Sequence, residues 1–186
     1  MAIMQPSEVV SEIFDVFHEH GDGMYGERVT EQQHALQCAA LAQKAGEPPA
    51  LIAACLLHDY GHLVHGLGED IADRGVDARH ERVGANRLEA WFPAPVVEPV
   101  RLHATAKRYL CWKDRQYFQG LSAASQKSLA LQGGPMTESE ARDFEAHPHF
   151  ASAVKLRQYD DQAKVPGMIT PALEDFRDLL ESLVRF

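Results

Sequence analysis

The stretch from Pro48-Pro49 to His62 constrains the fold more than any other part of the chain. Leu51, Ile52, Ala53, Ala54, Cys55, Leu56 and Leu57 are apolar on every side of a helix that the proline pair opens. A helix with no polar face has to be buried all round. It runs directly into His58-Asp59-Tyr60-Gly61-His62, and a carboxylate with imidazoles carried into a core is expensive unless something compensates them. A lone buried His bonded to a carbonyl is the ordinary solution. Adjacent His and Asp at a helix end can instead reach one metal or bridge two, and that donor pair suits iron, manganese or zinc.

Apolar residues recur at helical period through the rest of the chain, beginning with Val9, Val10, Ile13, Phe14 and Phe17, and Gly21-Asp22-Gly23 ends that first helix. Thr30 with Gln33 forms a capping box and Gly46 the matching stop, which places His34 in the first turn of a second helix. The glycine-rich, acidic segment from Gly66 to Gly75 reads as an exposed loop that delivers the chain to His80, the start of a helix stopped by Pro93. Pro95 starts another, carrying Val96, Val97, Val100 and His103. Ser122 to Gln132 reads as a helix ended by Gly133-Gly134, and Thr137 with Glu140 is a further capping box. Two more helices are expected, from about Pro148 to Lys164 and from Pro171 to Val184, the last with Leu173, Phe176, Leu180 and Leu183 on one stripe. No convincing strand, repeat or linker is present. The pattern predicts one all-α domain over residues 1–186.

Composition narrows the classes of partner. With 186 residues and 45% hydrophobic content the chain can bury a core of its own. A net charge of -9 argues against nucleic acid, whose phosphates demand a basic surface, so an anionic ligand must be met by locally concentrated Lys and Arg. Met1 to Pro6 carries no leader pattern and no apolar window is long enough to span a bilayer. The expectation is a soluble, cytoplasmic protein without a membrane partner. Cys38, Cys55 and Cys111 are odd in number and widely spaced, which favours reduced buried thiols over disulfides.

His34, His80, His103 and a late Asp lie on different predicted helices and join His58 and Asp59 as candidate donors, since converging helices are how bundles build metal sites. Periodicity leaves two choices for the late Asp, because Asp160 and Asp161 both fall within a turn of Arg157 and of Lys164. This set resembles the HD-domain superfamily, which implies an all-helical metal-binding bundle. His80 and His103 resemble the extra donors of members that hold two metals, namely dinuclear phosphohydrolases and diiron oxygenases similar to myo-inositol oxygenase. In the oxygenase-like members the ligand Asp is followed by Lys four residues later. That resemblance selects Asp160, with Lys164, and keeps Asp161 as the alternative.

Five segments, in order, resemble the small bacterial phosphonate-degrading oxygenases of this superfamily. They are Tyr25-Gly26-Glu27 leading into Gln33-His34-Ala35-Leu36-Gln37; Leu57-His58-Asp59-Tyr60-Gly61-His62; His103 through Ala106-Lys107-Arg108-Tyr109-Leu110-Cys111; Leu129 to Met136; and Arg157 to Lys164. The resemblance implies a mixed-valent pair of iron ions, Fe2+ with Fe3+, held by His34, His58, Asp59, His80, His103 and Asp160, with O2 as co-substrate. It also implies cleavage of the carbon-phosphorus bond of a 1-hydroxyphosphonate. The overall resemblance favours the trimethylammonium substrate, which yields glycine betaine and phosphate, over the primary amine, which yields glycine.

A phosphonate dianion needs cationic donors beside the metals, and His62, Lys107 and Arg157 supply them, Lys107 one turn beyond His103 and Arg157 one turn before Asp160. Family position adds Ser125 and Lys164 to the substrate-binding set. It also places Tyr25 and Glu27 in a mobile segment covering the site, where with His62 they are the catalytic candidates. Tyr109, Trp112 and Tyr117 are aromatic faces for a quaternary ammonium or simply core. Two other functions compete with the oxygenase reading. One is an HD-type metal-dependent phosphohydrolase; the other is a non-catalytic module that senses a metal or ligand.

Overall fold

A computed structural model describes residues 4–25, 28–64 and 79–185; Glu27 and the expected loop from Gly66 to Gly75 lie outside them. Helix α1 (Pro6–His20) buries Val9, Val10, Ile13, Phe14 and Phe17 on its core face. The chain then forms a two-residue antiparallel ladder of β1 (Met24–Tyr25) and β2 (Val29–Thr30), which corrects the expectation of no strand. Two residues per strand are too few to show the alternation by which strands are read in a sequence. The ladder delivers Thr30 as the cap of α2 (Glu31–Lys44), where the reciprocal bonds with Gln33 are formed.

Helix α3 (Pro49–Leu57) is buried from Leu51 to Leu57 and packs against α2, α6 and α10, the last two defined next. After His58 and Asp59 comes the short α4 (Tyr60–Val64); beyond the undescribed residues lie α5 (His80–Leu88) and α6 (Ala94–Lys113). A further short helix, α7 (Arg115–Gly120), was not expected. Asp114 in an extended conformation breaks α6 and caps the next turn through Gln116 N–H, so a polar residue both ends one helix and starts another. Then follow α8 (Ala123–Leu131), α9 (Glu138–Glu145) and α10 (Phe150–Gln162).

The single helix expected over Pro171 to Val184 is instead a 3-10 turn, Leu173–Phe176, followed by α11 (Arg177–Glu181). The Asp175 carboxylate takes the Ala172 N–H and tightens that turn. Leu173, Phe176 and Leu180 are nevertheless buried, because the stripe serves the core in either geometry.

The main hydrophobic cluster joins α1 to α6, α10 and the C-terminal segment; a second lies where the end of α6 meets α9 and α10; a third, of Cys111, Leu121 and Leu129, sits under α7 and α8. Each fully buried Leu or Phe stabilises the fold by about 1.5–3 kcal/mol, and that apolar frame is what holds a charged centre in place. All three cysteines are free and buried. Among the described residues no helix is long and apolar enough to cross a membrane.

Candidate metal centre and anion cradle

Four imidazoles and two carboxylates, carried by five different elements, converge beside α3. In a first group His34 Nε2 lies 3.1 Å from His58 Nε2, and 3.4 Å from both Asp59 Oδ2 and Asp160 Oδ1. His58 Nε2 is 3.1 Å from the same Asp59 oxygen. In a second group His80 Nε2 lies 3.0 Å from His103 Nε2, and these nitrogens stand 3.3 and 3.6 Å from Asp59 Oδ1. Asp59 therefore turns one oxygen to each group. Two ligand atoms each about 2.1 Å from one ion stand about 3.0 Å apart at a right angle and about 3.4 Å at the tetrahedral angle. The observed separations are those of ligands sharing an ion.

The protons tell the same story. His34 Nδ1 donates to the Ala163 carbonyl at 2.7 Å, His58 Nδ1 to Cys55 at 2.9 Å and His103 Nδ1 to Val100 at 2.7 Å. A ring that donates from Nδ1 presents a lone pair at Nε2 when neutral, so neutral His34 and His58 rings would meet Nε2 to Nε2 as two acceptors unless a positive charge lay between them. A metal ion resolves that conflict, and backbone carbonyls on Nδ1 are the usual means of orienting metal-bound His. Asp59 Oδ2 is also buried without a hydrogen-bond donor, which is costly for an ionised carboxylate.

Electrostatics agree in direction. Burial opposes charge on Asp59 and Asp160, but His58 beside the first and Arg157 beside the second hold both well below the usual carboxylate range. Burial pushes His103 down to about 4 and His80 well below an ordinary imidazole, His62 adding to the latter. Burial disfavours a charged His58, yet the Asp59 charge outweighs it and raises the ring to about 10. The site thus holds ionised carboxylates and neutral rings at His80 and His103, with a demand for positive charge at His58 beside Asp59. That donor set fits a pair of divalent or trivalent ions.

Glycines make the second group possible. A Cβ on Gly61 would stand 2.0 Å from the His80 carbonyl oxygen and 2.9 Å from Gly84 N, and one on Gly84 would stand 2.9 Å from Gly61 N. Helices α4 and α5 therefore touch backbone to backbone, which sets His80, the first residue of α5, against Asp59. Arg79, just before it, has left-handed backbone (φ 48°) and turns the chain into that helix. The His62 ring stacks on His80 with centroids 4.0 Å apart. Ligand atoms of Asp59, His62 and His80, one from each, lie within 4.8 Å of one another, so His62 stands with the second group as a further possible donor beside His103.

Next to the donors lies a buried cluster of cations and hydroxyls. Lys107 and Arg157 are each 3% exposed. Lys107 Nζ donates to Ser128 Oγ at 2.7 Å, and the Ser128 hydroxyl donates to the Ser125 carbonyl. Arg157 Nη1 lies 2.7 Å from Asp160 Oδ2, and Nη2 lies 3.5 Å from Ser125 Oγ. Burial, with Arg157 adding repulsion, pushes the Lys107 ammonium down to about 8. Arg157 is met by the Asp160 and Asp161 carboxylates, whereas the Lys107 ammonium bonds a neutral hydroxyl, so the pair favours an added anion beside Lys107.

Tyr25 covers the first group. Its ring stacks on His34 with centroids 3.7 Å apart, and its hydroxyl lies 3.5 Å from Asp160 Oδ1. Lys164 Nζ is 3.5 Å from that same Asp160 oxygen and stands over the Tyr25 ring. The aromatic residues with two readings separate. Tyr109 and Trp112 belong to the second hydrophobic cluster, where the Tyr109 hydroxyl bonds Glu145, and Tyr117 binds Arg157 through its hydroxyl. They do not form a cage.

Residues 32–161 match the HD domain. The chain belongs to the HD-domain family. It is 44% identical over 178 residues to a hydroxymethylphosphonate dioxygenase of Gimesia maris, covering 95% of this chain and 89% of the relative. It is 40% identical over 177 residues to a 1-hydroxy-2-(trimethylamino)ethylphosphonate dioxygenase, glycine-betaine-forming, of Leisingera caerulea, covering 95% and 90%. An uncharacterized protein of Acanthamoeba polyphaga mimivirus is 34% identical over 175 residues, covering 92% and 80%. In this HD-domain chain, sequence reasoning missed Ser128, the contact of Gly61 with Gly84, and the bonds that Tyr117 and Asp161 make to Arg157. Ser128 stands one turn after Ser125, and Gly84 is a helix-interior glycine of the kind that often marks close packing; those were the available signals.

Proposed function

We propose that this protein is an O2-dependent dioxygenase that uses two iron ions to cleave the carbon-phosphorus bond of a small 1-hydroxyphosphonate. The observation that carries the reading is the juxtaposition of a bridging-type donor set around Asp59 with the buried cations Lys107 and Arg157. A phosphohydrolase needs the first feature, but the relatives at 44% and 40% identity are both named as phosphonate dioxygenases. Their named substrates share a carbon that bears a hydroxyl and a phosphonate, and differ in the substituent on that carbon. The overall reaction joins a 1-hydroxyphosphonate and O2 to give a carboxylate and phosphate, with every atom of O2 retained in the products.

His34, His58, Asp59 and Asp160 would hold one ion and Asp59, His80 and His103 the other. The iron pair, when bound, supplies the activation of O2 and the oxidation of the carbinol carbon. This chain's residues do the rest. Lys107, Arg157 and Ser125 receive the phosphonate oxygens by charge-assisted hydrogen bonds, which fix the substrate against the donors. His62 sits at the edge of the second group, within reach of the substrate hydroxyl, and is the residue to take or return its proton. Tyr25 lies over His34 and restricts the access of water. Arg157, and after it Lys164, keep the Asp160 carboxylate ionised.

The test is to incubate iron-loaded, partly reduced protein under oxygen with hydroxymethylphosphonate, the trimethylammonium analogue and 2-amino-1-hydroxyethylphosphonate. Phosphate and a carboxylate should appear together, formate, glycine betaine or glycine respectively, and only in the presence of oxygen. Phosphate release from nucleotides without oxygen would replace this reading with a phosphohydrolase.

A further inference from the structure

We propose that Asp161 and Tyr117 are positioning residues that clamp the guanidinium of Arg157, so that its remaining N–H groups form the anion-binding edge of the site. The inference rests on the phosphonate reading above and says how the anion is recognised. Asp161 Oδ2 accepts from Arg157 Nε at 3.1 Å, and Asp161 Oδ1 accepts a very short bond from Nη2. The Tyr117 hydroxyl accepts from the same Nε at 3.1 Å and donates to Asp161 Oδ2. Asp160 takes Nη1 from the metal side. Of the five N–H groups of a guanidinium, the one at Nε and one each at Nη1 and Nη2 are held by the two acids and Tyr117, the second at Nη2 makes only a long 3.5 Å contact with Ser125 Oγ, and the second at Nη1 is left over.

Without Asp161, the Asp160 carboxylate would be the dominant partner and would draw the guanidinium towards the metal donors. With both acids in place the plane of the fork is held from two sides. Tyr117 comes from α7 rather than from the bundle, and its ring packs against the separate cluster of Cys111, Leu121 and Leu129. The α7–α8 excursion therefore has a core of its own, and it carries Tyr117, Ser125 and Ser128 together to the two buried cations.

The sign of the effect is diagnostic. A carboxylate close to a bound dianion repels it, so by charge alone Asp161 weakens anion binding, and removing its charge would tighten it. Only orientation of Arg157 makes Asp161 favourable. Calorimetric titration of inorganic phosphate into metal-loaded wild type, Asp161→Asn, Asp161→Glu and Tyr117→Phe decides. We expect phosphate affinity to fall about tenfold in Asp161→Asn and about threefold in Tyr117→Phe, in keeping with lost hydrogen bonds to a charged group. Asp161→Glu should recover part of the loss, and metal content should match wild type in all three. In turnover, KM for the phosphonate should rise more than kcat falls.

Equal or tighter phosphate binding by Asp161→Asn overturns the clamp, as does a wild type that binds no phosphate. Should Asp161→Asn not fold, Tyr117→Phe carries the test, and affinity unchanged from wild type there overturns the clamp. The two readings fail differently. If the dioxygenase reading fails, wild type shows no oxygen-dependent turnover while phosphate binding still depends on Asp161. If the clamp fails, turnover is normal and KM is unchanged in the variants.

Discussion

The two donor groups on either side of Asp59 use the same side chains and hold them differently. In the first, His34 and His58 are fully buried, Asp160 is 1% exposed, and both rings donate to backbone carbonyls of the packed helical frame. Arg157 and Lys164 brace the carboxylate. In the second, His103 is held in the same way by the Val100 carbonyl, but the His80 side chain is 14% exposed and its Nδ1 stands 3.7 Å from the Glu81 carboxylate. His80 is also the first residue of its helix and depends on the contact between two glycines. A ligand fixed by the main chain cannot yield without disturbing the core, whereas one at a helix start can. His34, His58 and His103 are therefore anchored donors, and His80 is the donor with the most freedom to adjust.

The largest effect should come from removing what the groups share. Asp59→Ala deletes an oxygen from each, and we expect metal analysis to show loss of both ions and turnover to drop about a thousandfold or more, since the chemistry depends on the pair. Retention of two ions would break the comparison at its centre. His80→Ala and Gly61→Ala should each lose one ion, the second, while the protein stays folded by circular dichroism. Turnover in Gly61→Ala should fall about a hundredfold, the upper range for changes that disturb ligand support without removing a ligand. His103→Ala should behave as His80→Ala does; full turnover in either would remove that residue from the metal centre.

Chelation sharpens the contrast at smaller cost. Titration with a chelator should strip the ion at His80 and His103 first with little change in melting temperature. Loss of the ion at His34 should follow with a larger drop, because binding energy at a site built into the core adds to folding stability. Simultaneous loss of both would deny the difference.

The smallest expected effect concerns Lys107, one turn beyond His103. Burial, reinforced by Arg157, places its ammonium at about 8, so the charged form that attracts an anion is present below that pH and lost as pH rises through it. Affinity for sulfate, a dianion across the range, should weaken a few-fold between about pH 7 and about pH 9.5. Lys107→Met should bind sulfate more weakly and flatten that dependence. A wild-type profile without slope would show that Lys107 does not face the anion.

How much of this was legible before folding depends on the kind of feature. Helices α1, α2 and α3 follow from capping boxes, proline starts and apolar spacing, which act within a few residues. The split of the last predicted helix and the appearance of α7 do not follow, because a single carboxylate on a nearby N–H decides each. The donors were readable as residue types, since His and Asp in buried surroundings are too costly to be there without partners. The choice between Asp160 and Asp161 was not, because periodicity admits neighbours alike. In the structure successive residues of α10 point about 100° apart, so Asp160 meets His34 while Asp161 meets Arg157 and Tyr117.

The amino-acid sequence by itself determined an all-helical chain with a fully apolar central helix and a set of imidazoles and carboxylates that must be compensated, because those demands arise from the local chemistry of each residue. Tertiary structure alone decided that one carboxylate is divided between two groups, that two glycines let His80 reach it, and that a tyrosine from a short outlying helix steadies a buried arginine. These are relations between segments distant along the chain, and distances between such segments are set by packing rather than by any local preference.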